Sequence, residues 1–129
     1  MKRAGVLNAH LAMALAQLGH TDPVVVGDCG LPRPAGVPVV DLALVAGVPS
    51  FEQVMRVLAD EMVVEAATVA TEASTANPGV IDLVASLFVQ PGQVRHEEFK
   101  KLSSGARLFI RTGEASPYAN VILRCGVPF

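Results

Sequence analysis

Tryptophan is absent from this chain and tyrosine occurs once, so any phenol in a site must come from Tyr118. Concentrated positive charge is also missing. No Lys/Arg run goes beyond Lys2-Arg3 or Lys100-Lys101, and the formal net charge is -2. The electrostatic footprint of a nucleic-acid binder is therefore lacking, and a neutral small ligand suits the balance better. Cysteine is scarce: Cys29 and Cys125 lie far apart in no metal-type spacing. Two reduced thiols in a cytosolic protein are the default reading, and one disulfide is the alternative. Apolar runs stop short of a membrane span, the most suggestive being broken by Asp41. Lys2-Arg3 before an apolar stretch imitates a signal peptide, but Asn8 and His10 interrupt it. Leu7, Leu11, Leu15 and Leu18 instead follow one face of an amphipathic helix.

Several catalytic signatures are missing as well. Gly27-Asp28-Cys29-Gly30 is neither a Walker loop nor a dinucleotide fingerprint, and there is no Gly-x-Ser-x-Gly elbow. No two of the histidines have the helical or tight-loop spacing of common metal sites, so no metal site is expected. Cys29 would need a base to act as a nucleophile, and its nearness to His20 in sequence does not establish contact. A chain of 129 residues fits one domain, taken as residues 1–129. Hydrophobic residues make up 51% of it and charged residues 17%. That is more apolar than a soluble monomer needs, and part of the excess is expected in subunit interfaces.

What is present is an alternation of short apolar strands and amphipathic helices. Helical patterning over Val6–Leu18 ends at Gly19, a natural helix stop. Val24-Val25-Val26 between Pro23 and Gly27 predicts a short buried strand, followed by a proline-rich loop over Leu31–Pro38 and a strand over Val39–Leu44. Ser50 and Gln53 form a capping box for a helix to about Ala59. Met62–Ala70 predicts a central strand whose polar position, Glu65, needs a partner. Asn77-Pro78 reads as N-cap and first helical residue of a helix to Phe88. A strand near Val94, a helix over Glu97–Ser103 and strands over Leu108–Arg111 and Val121–Leu123 complete the pattern, which indicates a layered α/β domain with a largely parallel sheet.

Two polar islands interrupt this scaffold: Gly19-His20-Thr21-Asp22 running into Asp28-Cys29-Gly30-Leu31-Pro32, and Gly113–Asn120. Together they carry an imidazole, carboxylates, a phenol and an amide, the groups that grip a polyhydroxylated molecule and move its protons. His20 follows a helix end, where it either satisfies end carbonyls or acts as acid/base, with Thr21, Asp22 and Asp28 close enough in sequence to orient it. Asp22 before Pro23 is a turn former. Asp28 closes a strand at its C-terminal end, where ligands bind in open α/β sheets, and flanking glycines let a ligand approach the backbone. His96 opens a helix beside Glu97-Glu98, and His10 reads as packing beside the leucine face. In a sugar site Tyr118 offers a ring as an apolar floor and a hydroxyl, Asn120 both donates and accepts, and Ala119 contributes only its backbone.

Taken in order, these elements resemble the D-ribose pyranase family of sugar mutarotases. The resemblance runs through Gly5-Val6-Leu7-Asn8, Leu18–Asp22, Asp28 with Gly30-Leu31-Pro32, Asp41–Leu44, Gly47–Phe51, Glu61-Met62 with Val64-Glu65, Asn77-Pro78, His96 with Phe99-Lys100, Arg111–Glu114, Ser116–Asn120 and Gly126-Val127. Fucose mutarotases share the Gly-His and Gly-Glu…Tyr-x-Asn elements, whereas Asp-x-Gly-Leu-Pro and Ser-Pro-Tyr-Ala-Asn look like the ribose branch. Cys29 departs from the alanine expected there, and an exposed thiol would make the site oxidation-sensitive. The resemblance implies His20 as catalytic proton donor, and Asp28, His96 and Tyr118-Ala119-Asn120 as substrate contacts. It also implies a three-layer α/β/α sandwich, no cofactor, and a cytoplasmic homo-oligomer, a decamer of two stacked pentamers with sites at subunit boundaries. The alternatives are the same reaction on fucose or another monosaccharide, a non-catalytic sugar-binding or transport-accessory protein, and a purely structural assembly module.

Overall fold

A computed structural model describes every residue from Met1 to Phe129. The β-branched run after Pro23 forms β1 (Pro23–Gly27), and Val24, Val25 and Val26 are wholly buried. A strand buried on both faces needs cover on both. The other strands are β2 (Val39–Asp41), β3 (Val64–Ala70), β4 (Gly92–Val94), β5 (Leu108–Arg111) and β6 (Val121–Cys125). They make one six-stranded sheet in the order β2-β5-β1-β6-β3-β4. β5 runs parallel to both β1 and β2, and β4 parallel to β3, while β6 is antiparallel to its neighbours β1 and β3. The sheet is therefore mixed. No helix lies between β5 and β6, so the chain turns back at the end where β5 stops instead of crossing over.

Five helices cover the sheet: α1 (Ala9–Ala16), α2 (Phe51–Glu61), α3 (Ala73–Ala76), α4 (Pro78–Leu87) and α5 (His96–Ser103). Val24 and Val26 of β1 join the large core with Leu11 of α1, Met55 and Leu58 of α2 and Val84 of α4. Val25, pointing the other way, packs with Phe109, Leu31 and Phe99 of α5 in a second cluster. Alternate residues of one strand thus serve two separate cores.

The boundaries differ from the sequence reading for local reasons. Asn8 accepts from the Leu11 N–H at 2.9 Å and so fixes the start of α1 three residues after Val6. Asp41 accepts from the Ala43 N–H at 3.1 Å, an Asx turn that ends β2 before Leu44. The capping box at Ser50 and Gln53 is fully formed. Asn77 stands before Pro78 as the N-cap, but its side chain makes no capping bond. It donates instead to Ser116 Oγ at 3.0 Å and to the Pro117 carbonyl at 2.9 Å, which ties α4 to the β5–β6 connection.

Candidate active site

Two strand ends and one connection build the first half of the site. Thr112, directly after β5, bonds the Gly27 carbonyl twice, through its N–H and its hydroxyl, each at 2.9 Å. The Thr112 hydroxyl also accepts from the Glu114 N–H at 3.1 Å. The Glu114 carbonyl in turn accepts from the Cys29 N–H at 2.9 Å. The Glu114 carboxylate reaches back to the N-terminus of α2, accepting from Phe51 N–H at 3.0 Å and from Ser116 N–H at 3.1 Å. Burial pushes its pKa up, but these backbone donors outweigh burial and leave it below the ordinary range. The Asp28–Pro32 part of the first island and the second island are thereby pinned together at the C-terminal end of β1. Gly113 has to be glycine, because a Cβ there would run into the backbone carbonyls of Val48 and Val45.

The result is a cleft of about 280 Å³ lined by Asp28, Gly30, Leu31, Pro32, His96, Pro117, Tyr118 and Asn120. Asn120, 1% exposed, accepts through Oδ1 from the Asp28 N–H at 2.8 Å. Its Nδ2 is buried without a partner, and so is Nδ1 of His96. Leaving such atoms unpaired is costly, so native structures do so sparingly. The His96 ring meets Tyr118 in a T-shaped arrangement, centroids 5.1 Å apart at 80°, and its backbone N–H donates to Glu72 Oε2 at 2.7 Å. Tyr118 sits at φ 55, left-handed backbone that nonglycine residues adopt rarely. Asp28 keeps one oxygen on the Gly30 N–H at 2.9 Å. Ala119 is not among the residues that line the cleft; it is 1% exposed and packed into the large core.

His20 lies elsewhere. Its loop precedes β1 whereas Asp28 follows it, so five residues of strand, about 16 Å of extended chain, separate them. Its side chain is 52% exposed, beside a second cleft of about 560 Å³ that includes Leu18, Met62, Cys125 and Phe129. Neither Asp22 nor Asp28 orients the imidazole. Asp22 accepts from the Gly19 N–H at 2.8 Å, closing the turn. The partner is Glu65, whose Oε2 lies 2.9 Å from His20 Nε2 and whose Oε1 forms an ion pair with Arg124 Nε at 2.8 Å. The hydrogen bond from His20 holds the Glu65 carboxyl below its usual range against a small opposing effect of burial. Glu65 was visible in the sequence only as a polar residue in an apolar strand; its partner was not. His10 is exposed on α1 and takes no part.

The two cysteines are free. Cys29 follows β1 and Cys125 pairs near its start, at opposite ends of the strand, which rules out a bridge between them. Burial, with the nearby Asp22 and Glu65 charges, pushes the Cys125 thiol up. No three His, Cys, Asp or Glu side chains are grouped to hold a metal ion, and no helix is long and apolar enough to cross a membrane.

Comparison with known proteins bears on the whole chain. The model of the RbsD / FucU transport protein family matches residues 1–128. A D-ribose pyranase of Streptomyces avermitilis is 59% identical over 129 residues, and one of Exiguobacterium sibiricum 55%, each covering 100% of both chains. The structure of Bacillus subtilis RbsD complexed with D-ribose is matched at a TM-score of 0.94 and 47% identity, over 100% of each chain. Since the match takes in both islands and every strand between them, the chain belongs to the RbsD / FucU family.

Proposed function

We propose that this protein is a sugar mutarotase that interconverts the pyranose and furanose forms of D-ribose by acid/base ring opening. The observation that carries the reading is the pair of buried, unpartnered atoms on the cleft, His96 Nδ1 and Asn120 Nδ2. A sugar hydroxyl supplies the acceptor that the amide lacks and the partner that the imidazole nitrogen lacks, and a cleft of about 280 Å³ is of monosaccharide size. The D-ribose pyranases similar over their full length add weight to ribose in particular.

In the reaction the anomeric hydroxyl loses a proton while the ring oxygen gains one, and the bond between C1 and the ring oxygen breaks. The open-chain aldehyde then recloses through a different hydroxyl. We assign His20 as the acid that protonates the ring oxygen, His96 or a water as acceptor of the anomeric proton, and Asp28, Tyr118, Asn120 and the Ala119 backbone as contacts to hydroxyls. Proton transfer by positioned groups contributes about 100- to 10,000-fold, and no redox step is involved.

One chain holds His20 and the cleft at opposite ends of β1, so we assign the complete site to the boundary between two copies, His20 of one facing the cleft of another. Exposed apolar residues suit such an assembly, among them Leu7 at 75% and Leu44 at 78%. A decamer of two stacked pentamers, a three-layer α/β/α reading of the two cores, and a cytoplasmic location, in keeping with two free thiols, complete the proposal. The test is NMR saturation transfer between the anomeric signals of ribose with and without the protein. Faster exchange that disappears in His20→Ala supports the mutarotase; ribose-induced shifts of the Asn120 side-chain amide without faster exchange make the protein a binding module.

A further inference from the structure

The geometry around Glu65 points to a role in setting the proton inventory of His20. The β3–β6 ladder slips between Val64 and Ala66, so Glu65 is the extra residue of a bulge. A bulge re-aims its side chain out of the strand's regular alternation. Here that side chain spends both oxygens, one on His20 Nε2 and one on Arg124 Nε of the neighbouring strand. The bulge is closely packed as well: a Cβ on Gly126 would lie 3.3 Å from Glu65 Cβ and 3.1 Å from Val63 Cγ1. The His20 loop is anchored to the same strand end, with Thr21 N–H donating to the Cys125 carbonyl at 2.9 Å and Cys125 N–H to the Asp22 carbonyl at 3.0 Å. Thr21 holds φ 71, a left-handed conformation that is an outlier for a β-branched residue. Strain on one side of the imidazole and a bulge on the other converge on a single ring orientation.

We infer that Glu65 is a positioning residue for the acid/base step: by accepting the Nε2–H of His20 it fixes the imidazole tautomer and makes Nδ1 the nitrogen that exchanges a proton with the sugar. This rests on the mutarotase reading and deepens it. In the neutral ring Nε2–H stays on Glu65 and Nδ1 carries the lone pair; in the imidazolium Nδ1–H is the acid. On ring opening that proton passes to the ring oxygen as the bond to C1 breaks, and on reclosure a proton from the attacking hydroxyl returns to Nδ1. Arg124 keeps Glu65 ionised and aimed. Asp22, Asp60, Glu61 and Cys125 are the remaining titratable side chains around this cleft, and none of them hydrogen-bonds the His20 ring.

The test uses the full-length protein with 15N-labelled histidine, together with Glu65→Ala and Glu65→Gln. In the parent protein the long-range 15N–1H spectrum is expected to show His20 with Nε2 protonated and Nδ1 bare at alkaline pH. Glu65→Ala is expected to let the two tautomers mix and to lower ribose-exchange turnover about 10-fold or more, with KM changed less than about twofold. Glu65→Gln, whose carbonyl still accepts from Nε2–H, restores the tautomer and part of the turnover. An Nδ1–H tautomer in the parent overturns the inference even if Glu65→Ala fails to fold, and so does unchanged turnover in a folded Glu65→Ala. If the parent itself leaves ribose exchange unaccelerated, the mutarotase reading fails separately, and the spectrum still decides which nitrogen Glu65 holds.

Discussion

Asn120 shows how one side chain can serve both structure and chemistry. Its Oδ1 fixes the Asp28 backbone, and its Nδ2 is the buried donor left for a ligand. Asn120→Ala is therefore expected to raise KM for ribose and also to cost about 1–2 kcal/mol of stability, read from the urea midpoint. His20→Ala should behave differently. The side chain is half exposed and its bond to Glu65 is at the surface, so turnover should fall by about 100-fold or more with the melting temperature nearly unchanged. At this scale the sequence was informative about identity and silent about company. His20, Asp28, His96, Tyr118 and Asn120 stand out as polar residues in an apolar chain. Glu65 stood out too, as a polar position in need of a partner, but Arg124 did not, and the contacts that join Glu65 to His20 and Arg124 depend on a register of β3 on β6 that no local pattern encodes.

The β5–β6 connection is the element on which the cleft depends, and Glu114 is its strut. The carboxylate spans from Phe51 N–H at the start of α2 to Ser116 N–H beside Pro117. Because its folded pKa is depressed, its contribution is complete above the ordinary glutamate range and is lost as pH falls through the lower folded value. Glu114→Ala should therefore lower stability by about 1–2 kcal/mol at neutral pH, with the gap to the parent protein narrowing as pH falls below the ordinary glutamate range, as measured by urea titration across that range. Elements with their own signals were legible in the sequence, such as the valine run of β1 and the capping box of α2. The short helix α3 had no cap or periodicity to announce it, and Asn77 looked like a capping residue although its side chain is spent on Ser116 and Pro117. The direction of β6 was hidden for a related reason: strand character is local, and the missing crossover between β5 and β6 bears on direction only once both strands are known to share one sheet.

The whole molecule presents His20 and the cleft at opposite ends of one strand, so on the proposed reading activity should be a property of neighbouring copies. Size-exclusion chromatography with light scattering is expected to give a species well above the 13.5 kDa of one chain. Mixing two impaired variants, His20→Ala and Asn120→Ala, under conditions that exchange subunits and at ribose concentrations too low to saturate Asn120→Ala, should restore activity. Equal random mixing pairs an intact His20 with an intact cleft at about one boundary in four, so recovery should approach a quarter of the parent rate. No recovery despite verified subunit exchange would place the complete site within a single chain. The position of β6 has a further consequence, for biosynthesis. β1 is made early, yet both strands that flank it, β5 and β6, are the last two in chain order. As the polypeptide leaves the ribosome, β1 must wait with both backbone edges open, and β3 with one, until residues beyond Leu108 emerge. The nascent protein should then be captured by chaperones and cleaved by added protease until β6 is released, after which the central sheet closes in one late step.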